Sequence, residues 1–261
     1  MSGQGAIGWG GLLASLTLVA VAVGLSAWRR LGLERTMLWA CARALGQLLL
    51  VGYALAALLD EDAPVAAAWA WVVGMVLFAA ITVRRRAPEV PDALRLALLA
   101  TGASAVLSLG VVFGAGIYEP TPRAIIPIAG MMVGNSISGT VTACRRVIGE
   151  LADHRDEVEA RLALGQPSSE AGRPYLRAAL RVALTGQIES TKAVGLVFLP
   201  GAMTGLILAG ADPVEAVLVQ AAVMFLILGC VATNATVVGL GLSRRLFTPD
   251  HRLRPLPRAA G

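Results

Sequence analysis

The chain has 261 residues; apolar types (Ala, Val, Ile, Leu, Met, Phe, Trp, Tyr, Cys) make up 56 % and charged types 15 %, against roughly 25 % charged in an ordinary soluble domain. That balance excludes a water-soluble enzyme, a disordered chain, a collagen and a nucleic-acid-binding module. The net charge of +5 is not one basic patch, because the basic residues sit between apolar runs. The chain reads as an all-α, polytopic membrane protein with the lipid bilayer as its surroundings.

A helix needs about 20 mostly apolar residues to cross the hydrocarbon core. Seven stretches supply them, at 6–28, 36–59, 64–83, 93–117, 124–143, 182–210 and 213–243. No Lys or Arg precedes the first, and Arg29 and Arg30 follow it, which predicts an uncleaved anchor with its N-terminus outside. Arg35 joins that first connection. The second connection holds Asp60, Glu61 and Asp62 and no base; the third has Arg84, Arg85, Arg86 and nearby Arg95; the fourth has Arg123 alone. Seven arginines between Arg145 and Arg181 follow the fifth span, only Asp212 and Glu215 the sixth, and five more arginines from Arg244 to Arg258 the seventh. Nineteen bases thus fall on one side and one on the other. Basic loops stay in the cytoplasm, so the expectation is seven transmembrane helices, N-terminus outside, C-terminus cytoplasmic, in the cell (inner or plasma) membrane. Trp9, Trp39, Trp69 and Trp71 lie near span ends, where indole suits the interface or simply packs.

Within the spans a few residues break the apolar pattern. Arg43 and Gln47 lie one turn apart on one face of the second span, and Arg43 is near enough to the inner surface to snorkel. Glu119, at the outer end of the fourth span, is either an exit acid or a solvated loop charge. Gly130, Gly134, Ser138 and Thr142 form a row of small residues on the fifth span, with Asn135 beside it; Gly110 with Gly114, and Gly201 with Gly205, repeat the theme. Such rows let another helix approach closely, inside the chain or in a second copy. Pro127 and Pro200 interrupt backbone hydrogen bonding. Nearby Met131, Met132 and Met203 could ligate a soft metal, although methionine more often fills space. Glu189 and Lys192 share a face of the sixth span at i, i+3 and can neutralise each other, either as an interfacial structural pair or on a pathway.

Cys41, Cys144 and Cys230 are scattered and odd in number, and His154 and His251 are the only histidines, so neither a disulfide framework, a zinc site nor a His-driven triad is supported. Phosphate cradling needs G-x-x-x-x-G-K-[ST]. The one lysine, Lys192, sits in Gly186-Gln-Ile-Glu-Ser-Thr-Lys-Ala193, without the second glycine or the following hydroxyl. No catalytic or cofactor site is expected, and ATP-driven transport would need a separate ATPase subunit.

The one sizeable polar segment is 144–182. Val147, Ile148, Leu151, Val158 and Leu162 recur at helical spacing among charges, predicting an amphipathic helix with one apolar face free for a partner groove. Gly165 suits a C′ position, Ser168 or Ser169 an N-cap, and a second helix runs from about 170 or 173 into the sixth span, with Pro174 near its start.

Glu159-Ala160-Arg161, then Gly165 six residues after the Glu, resembles the coupling-loop signature Glu-Ala-Ala-x-x-x-Gly of ABC importer-type permeases, with Arg161 departing at the third place. The longer runs Ile125-Ile-Pro-Ile-Ala-Gly-Met-Met-Val-Gly-Asn-Ser136, Leu162-Ala-Leu-Gly165 and Glu189-Ser-Thr-Lys through Asp212-Pro213 resemble the iron-export ABC permease family of the FetB type, related to plant aluminium-sensitivity permeases. Leu33-Glu-Arg-Thr-Met-Leu-Trp39 and Arg43-Ala-Leu-Gly-Gln through Tyr53 fit the same family. The resemblance covers roughly 30–245 and is looser between 60 and 120. It implies a single permease domain over 1–261, with 144–182 as a cytoplasmic helical hairpin that docks on ATPase subunits through Glu159, Ala160, Arg161, Leu162, Leu164 and Gly165. It also implies a second copy of the chain in the membrane, an acid and a lysine at the Glu189–Lys192 spacing, and iron as cargo, with a sugar-nucleotide or metal-tolerance role as the alternative. Residues 246–261 read as a flexible cytoplasmic tail. A stand-alone secondary transporter and a non-transporting receptor or scaffold are the alternatives; retention of an ATPase subunit on purification separates them from the leading reading.

Overall fold

The computed structural model describes residues 9–59, 64–195 and 199–256, and the chain divides into two compact units, Met1–Ala63 and Pro64–Gly261. Asp60, Glu61, Asp62 and Arg258 lie outside the described residues, as do the first residues of the span expected at 6–28.

In the first unit α1 (Trp9–Trp28) and α2 (Glu34–Leu58) form a helical hairpin. Arg30 and Gly32 turn the chain in the left-handed region, at φ 52° and 70°. Ser26, 1 % exposed, ties the turn together: its hydroxyl donates to Glu34 Oε1 (2.8 Å) and accepts from the Leu33 N–H (3.3 Å). No residue of α2 is buried within the chain. Met37, Cys41, Val51 and Leu55 are half-buried along one side and the rest of this apolar helix is open, as in a lipid-immersed hairpin.

In the second unit α3 (Val65–Arg86), α4 (Ala93–Gly114), α5 (Pro122–Asp153), α8 (Arg173–Ala193) and α10 (Pro213–Leu246) pack together, with α6 (Arg155–Ala163) and α7 (Ser168–Ala171) between α5 and α8, and α9 (Gly201–Leu208) before α10. Trp69 near the start of α3 meets Phe113 near the end of α4 edge to face, centroids 5.9 Å apart, so the two run antiparallel. Asp212 caps α10 by accepting from the Val214 and Glu215 N–H groups at 2.8 and 3.2 Å, with Pro213 pre-set at N1. At the opposite end the basic residues gather: Arg145 bridges Glu89 (3.5 Å) and donates to the Arg86 carbonyl, and Arg245 bridges Asp92 (3.2 Å).

Five helices, α2, α3, α4, α5 and α10, are long and apolar enough to cross a membrane, and no strand is found among the described residues. α1 is apolar over Leu13–Trp28. The stretch expected to span over 182–210, with an interruption at Pro200, is divided into two helices. α8 ends at Ala193, Gly195 takes φ 90°, and α9 restarts after Pro200 in extended conformation. Eight residues rise only about 12 Å, so α9 alone does not span.

The segment 144–182 also differs from a free-standing hairpin. Its first helix is the continuation of α5 to Asp153, and the second is the start of α8. Val147, Ile148, Leu151, Val158, Tyr175 and Leu176 are all buried in one cluster with residues of α3, α4 and α10. The apolar face read from the sequence is therefore spent inside the chain. Phe247 and Leu253 join the same cluster as a bridged pair, so 247–256 docks against this segment.

Candidate functional site

Two exposed polar faces stand on α5 and α8, which pack side by side. On α5, Gly134, Asn135 and Ser138 are exposed, with Asn135 Nδ2 donating to the Met131 carbonyl of its own helix at 2.7 Å. On α8 the buried residues are Tyr175, Leu176, Ala179 and Ala183, and none beyond. Thr185, Glu189 and Lys192 are exposed, and Lys192 Nζ donates to Glu189 Oε1 at 2.9 Å with the two side chains 67 % and 61 % open. Asn135 lies about 15 Å along α5 from Arg145, and Glu189 about 12 Å along α8 from Arg181. An open acid–base pair is costly against hydrocarbon but not against water or protein. This face of the unit can line an aqueous path or meet another chain.

The coupling-signature residues occupy α6 and its C-terminal turn. α6 is anchored by Val158, wholly buried, while Glu159, Ala160 and Leu164 (84 % exposed) point outward and Leu162 packs on the core. Gly165 closes the helix at φ 85°: its N–H donates to the Leu162 carbonyl (3.0 Å) and Gln166 N–H to the Arg161 carbonyl (3.1 Å), the paired bonds of a Schellman end. Arg155 bridges Glu159 at 2.7 Å. Tyr175 Oη donates to Glu157 Oε2 (2.7 Å), with the His154 ring stacked on it at 4.9 Å and the Arg161 guanidinium 5.9 Å from its centroid. Burial first, then the neighbouring Glu157 carboxylate, pushes the Tyr175 phenol up, so this latch keeps its proton throughout the neutral range.

Sequence reasoning missed a buried polar knot. Asn234 on α10, 0 % exposed, accepts from Thr140 Oγ1 of α5 (2.9 Å) and donates from Nδ2 to Thr101 Oγ1 of α4 (3.2 Å). A lone Asn in an apolar run is the signal that could have found it, since an amide in hydrocarbon must find partners on neighbouring helices. Asn234→Ala should lower resistance to denaturant in detergent by about 1 kcal/mol, because inter-helical hydrogen bonds in membranes average below that and truncation also strands Thr101; an unchanged midpoint would deny the knot a stabilising role.

The small residues singled out from the sequence divide. A Cβ on Gly130 would make ordinary contact with Met75 Cε at 3.5 Å, whereas Gly134, Gly201 and Gly205 have open space. Close packing inside the unit falls to other glycines: a Cβ on Gly139 would stand 2.9 Å from Val231 Cγ1, and one on Gly241 2.6 Å from Leu96 Cδ2. Arg43 and Gln47 are exposed on α2, in the first unit. Glu119 is exposed in the α4–α5 connection. Met132 is buried beside Cys230, whose thiol points to the Met132 carbonyl at 3.8 Å; Met131 packs on Val223, Ile227 and Val231; Met203 is buried on α9. Among the described residues no three His, Cys, Asp or Glu side chains converge as a metal site requires.

Residues 9–247 match the family described as Uncharacterised protein family (UPF0014). The chain is similar to the rice (Oryza sativa subsp. japonica) UPF0014 membrane protein STAR2, 38 % identical over 219 residues covering 83 % of this chain and 76 % of that one. It is 34 % identical to the Escherichia coli (strain K12) protein named "Probable iron export permease protein FetB", over 93 % of each chain. It is 32 % identical to Protein ALUMINUM SENSITIVE 3 of Arabidopsis thaliana, over 92 % of this chain and 88 % of the other. No solved structure matches. The apolar helices and these relatives, one of them named a membrane protein, identify a multi-pass membrane protein.

Proposed function

This chain belongs to the UPF0014 family, and from that membership we propose that it is the membrane subunit of an ATP-binding-cassette exporter, energised by a separate cytoplasmic ATPase, with iron as cargo. The chain crosses the membrane seven times: α1 to α5, the broken α8–α9 pair, and α10. Its N-terminus is outside and its C-terminus in the cytoplasm, a reading supported by the basic ends of α3 and α10 and by Arg145 and Arg146 on α5. Two copies pair across the open Gly134–Ser138 face of α5, and Glu189 and Lys192 of α8 border the path between them. α6 and Gly165 form the contact with the ATPase.

The observation that carries the reading is the exposed Asn135, Ser138, Thr185, Glu189 and Lys192 on two adjacent helices, along from the basic end marked by Arg145 and Arg181. Such a face needs water or a partner chain, and transport provides both. The test is purification of a tagged chain together with its ATPase, reconstitution in vesicles, and measurement of ATP-dependent iron movement. Thiol labelling of Leu164→Cys from each side of the membrane checks the orientation. A complex that never retains an ATPase, or a Leu164→Cys thiol reached only from outside, would overturn the proposal.

A further inference from the structure

A separate cavity, of about 480 Å³, opens at the basic end of α10, away from the polar faces of α5 and α8. Arg244 and Arg245 on the last turn of α10, Thr248, His251 and Arg254 on the chain that follows, and Ser168 of α7 form most of its wall. Asp92 is the one carboxylate in that wall, and it is committed to Arg245 at 3.2 Å. Neither Arg244 nor Arg254 has an acidic partner among the described residues.

The far wall is an ordered turn. Thr248 N–H donates to the Arg252 carbonyl (2.8 Å), Arg254 N–H to the Leu246 carbonyl (2.9 Å), and Phe247 and Leu253 are buried beneath. Arg155 of α6 holds this turn by donating to the Leu253 and Arg254 carbonyls at 3.4 and 3.3 Å. His251 sits at φ 55°, a left-handed conformation that costs a non-glycine residue energy. Its Nδ1 accepts from the Ser168 N–H (3.3 Å) and lies 3.1 Å from Ser168 Oγ. Nδ1 therefore carries no proton, which leaves Nε2–H as a donor. Charges placed only to keep a loop in the cytoplasm need no cavity and no strained, pinned turn.

We propose that this cavity binds a phosphate group between the guanidiniums of Arg244 and Arg254, with His251 as a third donor. Three guanidiniums face one carboxylate there, and the planar fork of guanidinium matches phosphate oxygens in pairs. Arg244 and Arg245 end the apolar run of α10, so the cavity sits at the level of lipid headgroups if that helix spans the membrane. The phosphate comes either from an anionic lipid or from a small anion in solution.

The purified full chain separates the two sources. Equilibrium dialysis with radiolabelled inorganic phosphate tests the free anion. Thermal stability in nanodiscs of phosphatidylcholine alone, against a three-to-one mixture with phosphatidylglycerol, tests the lipid. In at least one arm a saturable effect is expected. The double variant Arg244→Gln/Arg254→Gln should weaken it about tenfold or more, whereas Arg252→Gln, which removes one positive charge just outside the cavity, should leave it within about twofold. Both variants change exposed side chains, and circular dichroism confirms that they fold. A phosphate response with no lipid preference assigns the site to a soluble anion, and the reverse assigns it to lipid. No saturable response in either arm overturns the proposal, including the case in which the cavity takes only an acidic segment of a partner protein. An equal loss in Arg252→Gln overturns it too, because binding would then be diffuse charge.

Discussion

With α6 as the proposed ATPase contact, Gly165→Pro should leave the chain inserted but abolish stimulated ATP turnover in the complex. Gly165 holds φ 85° and spends its N–H on the Leu162 carbonyl. Proline fixes φ near −65° and has no N–H, so it forbids both features at once. The helix end over Arg161–Gln166 has to open, at a local cost of about 3 kcal/mol. The damage stays local because Ala163, Leu164, Gly165 and Gln166 are exposed, while Val158 and Tyr175 keep α6 anchored. Glu159, Ala160 and Leu164 would then no longer present one fixed surface. Gly165→Ala grades the effect: a left-handed alanine costs about 1 kcal/mol and keeps the N–H, so partial coupling should survive. ATP turnover measured in the reconstituted complex decides; wild-type turnover with Gly165→Pro would remove α6 from the coupling contact.

Glu189→Gln should cut transport by about tenfold or more while leaving assembly and stability near those of the parent chain. Magnitude separates the two roles. An open i, i+3 ion pair is worth well under about 1 kcal/mol, so a purely structural Glu189–Lys192 bridge has little to lose. An acid bordering a cation path sets the local potential and has much to lose. The exchanged pair Glu189→Lys/Lys192→Glu sharpens the test. It restores mutual neutralisation but moves the acid by one turn, so a structural pair recovers and a path residue does not. Normal flux in Glu189→Gln, or full recovery in the exchanged pair, would assign these side chains to local structure.

The sequence made the helical class legible because span-length apolar runs separated by one-sided arginines admit little else; α2, α3, α4, α5 and α10 lie close to where hydropathy puts them. Within 182–210 Pro200 marks the interruption in the sequence, but hydropathy does not show that the helix stops as early as Ala193 or that Gly195 takes φ 90°. Periodicity over Val147–Leu162 gave an apolar face correctly but could not say what covers it. The answer lies about a hundred residues away, in Leu242, Phe247 and Leu253. Gly165 was legible since one residue type meets one local demand. Gly139 and Gly241 were not, because a close approach to Val231 or Leu96 is a property of two helices and not of either sequence. The same holds for Thr101, Thr140 and Asn234, three ordinary residues that form a site only where three helices meet.

α5 and α10 touch at their midpoints. Gly139 is the eighteenth of 32 residues in α5, and Val231 the nineteenth of 34 in α10. The matched pairs Met132–Cys230, Gly139–Val231 and Thr140–Asn234 advance together, so the two rods lie parallel. Each is about 50 Å long. The contact does not stop at the midpoints: Met131 packs on Val223 and Ile227 toward one end, and Val147 and Leu151 share a cluster with Leu242 and Leu246 toward the other. Rods matched over that much of their length move as one body, so spin labels at Arg123 and Val214, and at Arg146 and Arg244, should keep both separations constant whatever else in the protein moves. A change at either pair would show that the two helices part. A strut of this kind carries a displacement from one surface to the other undiminished.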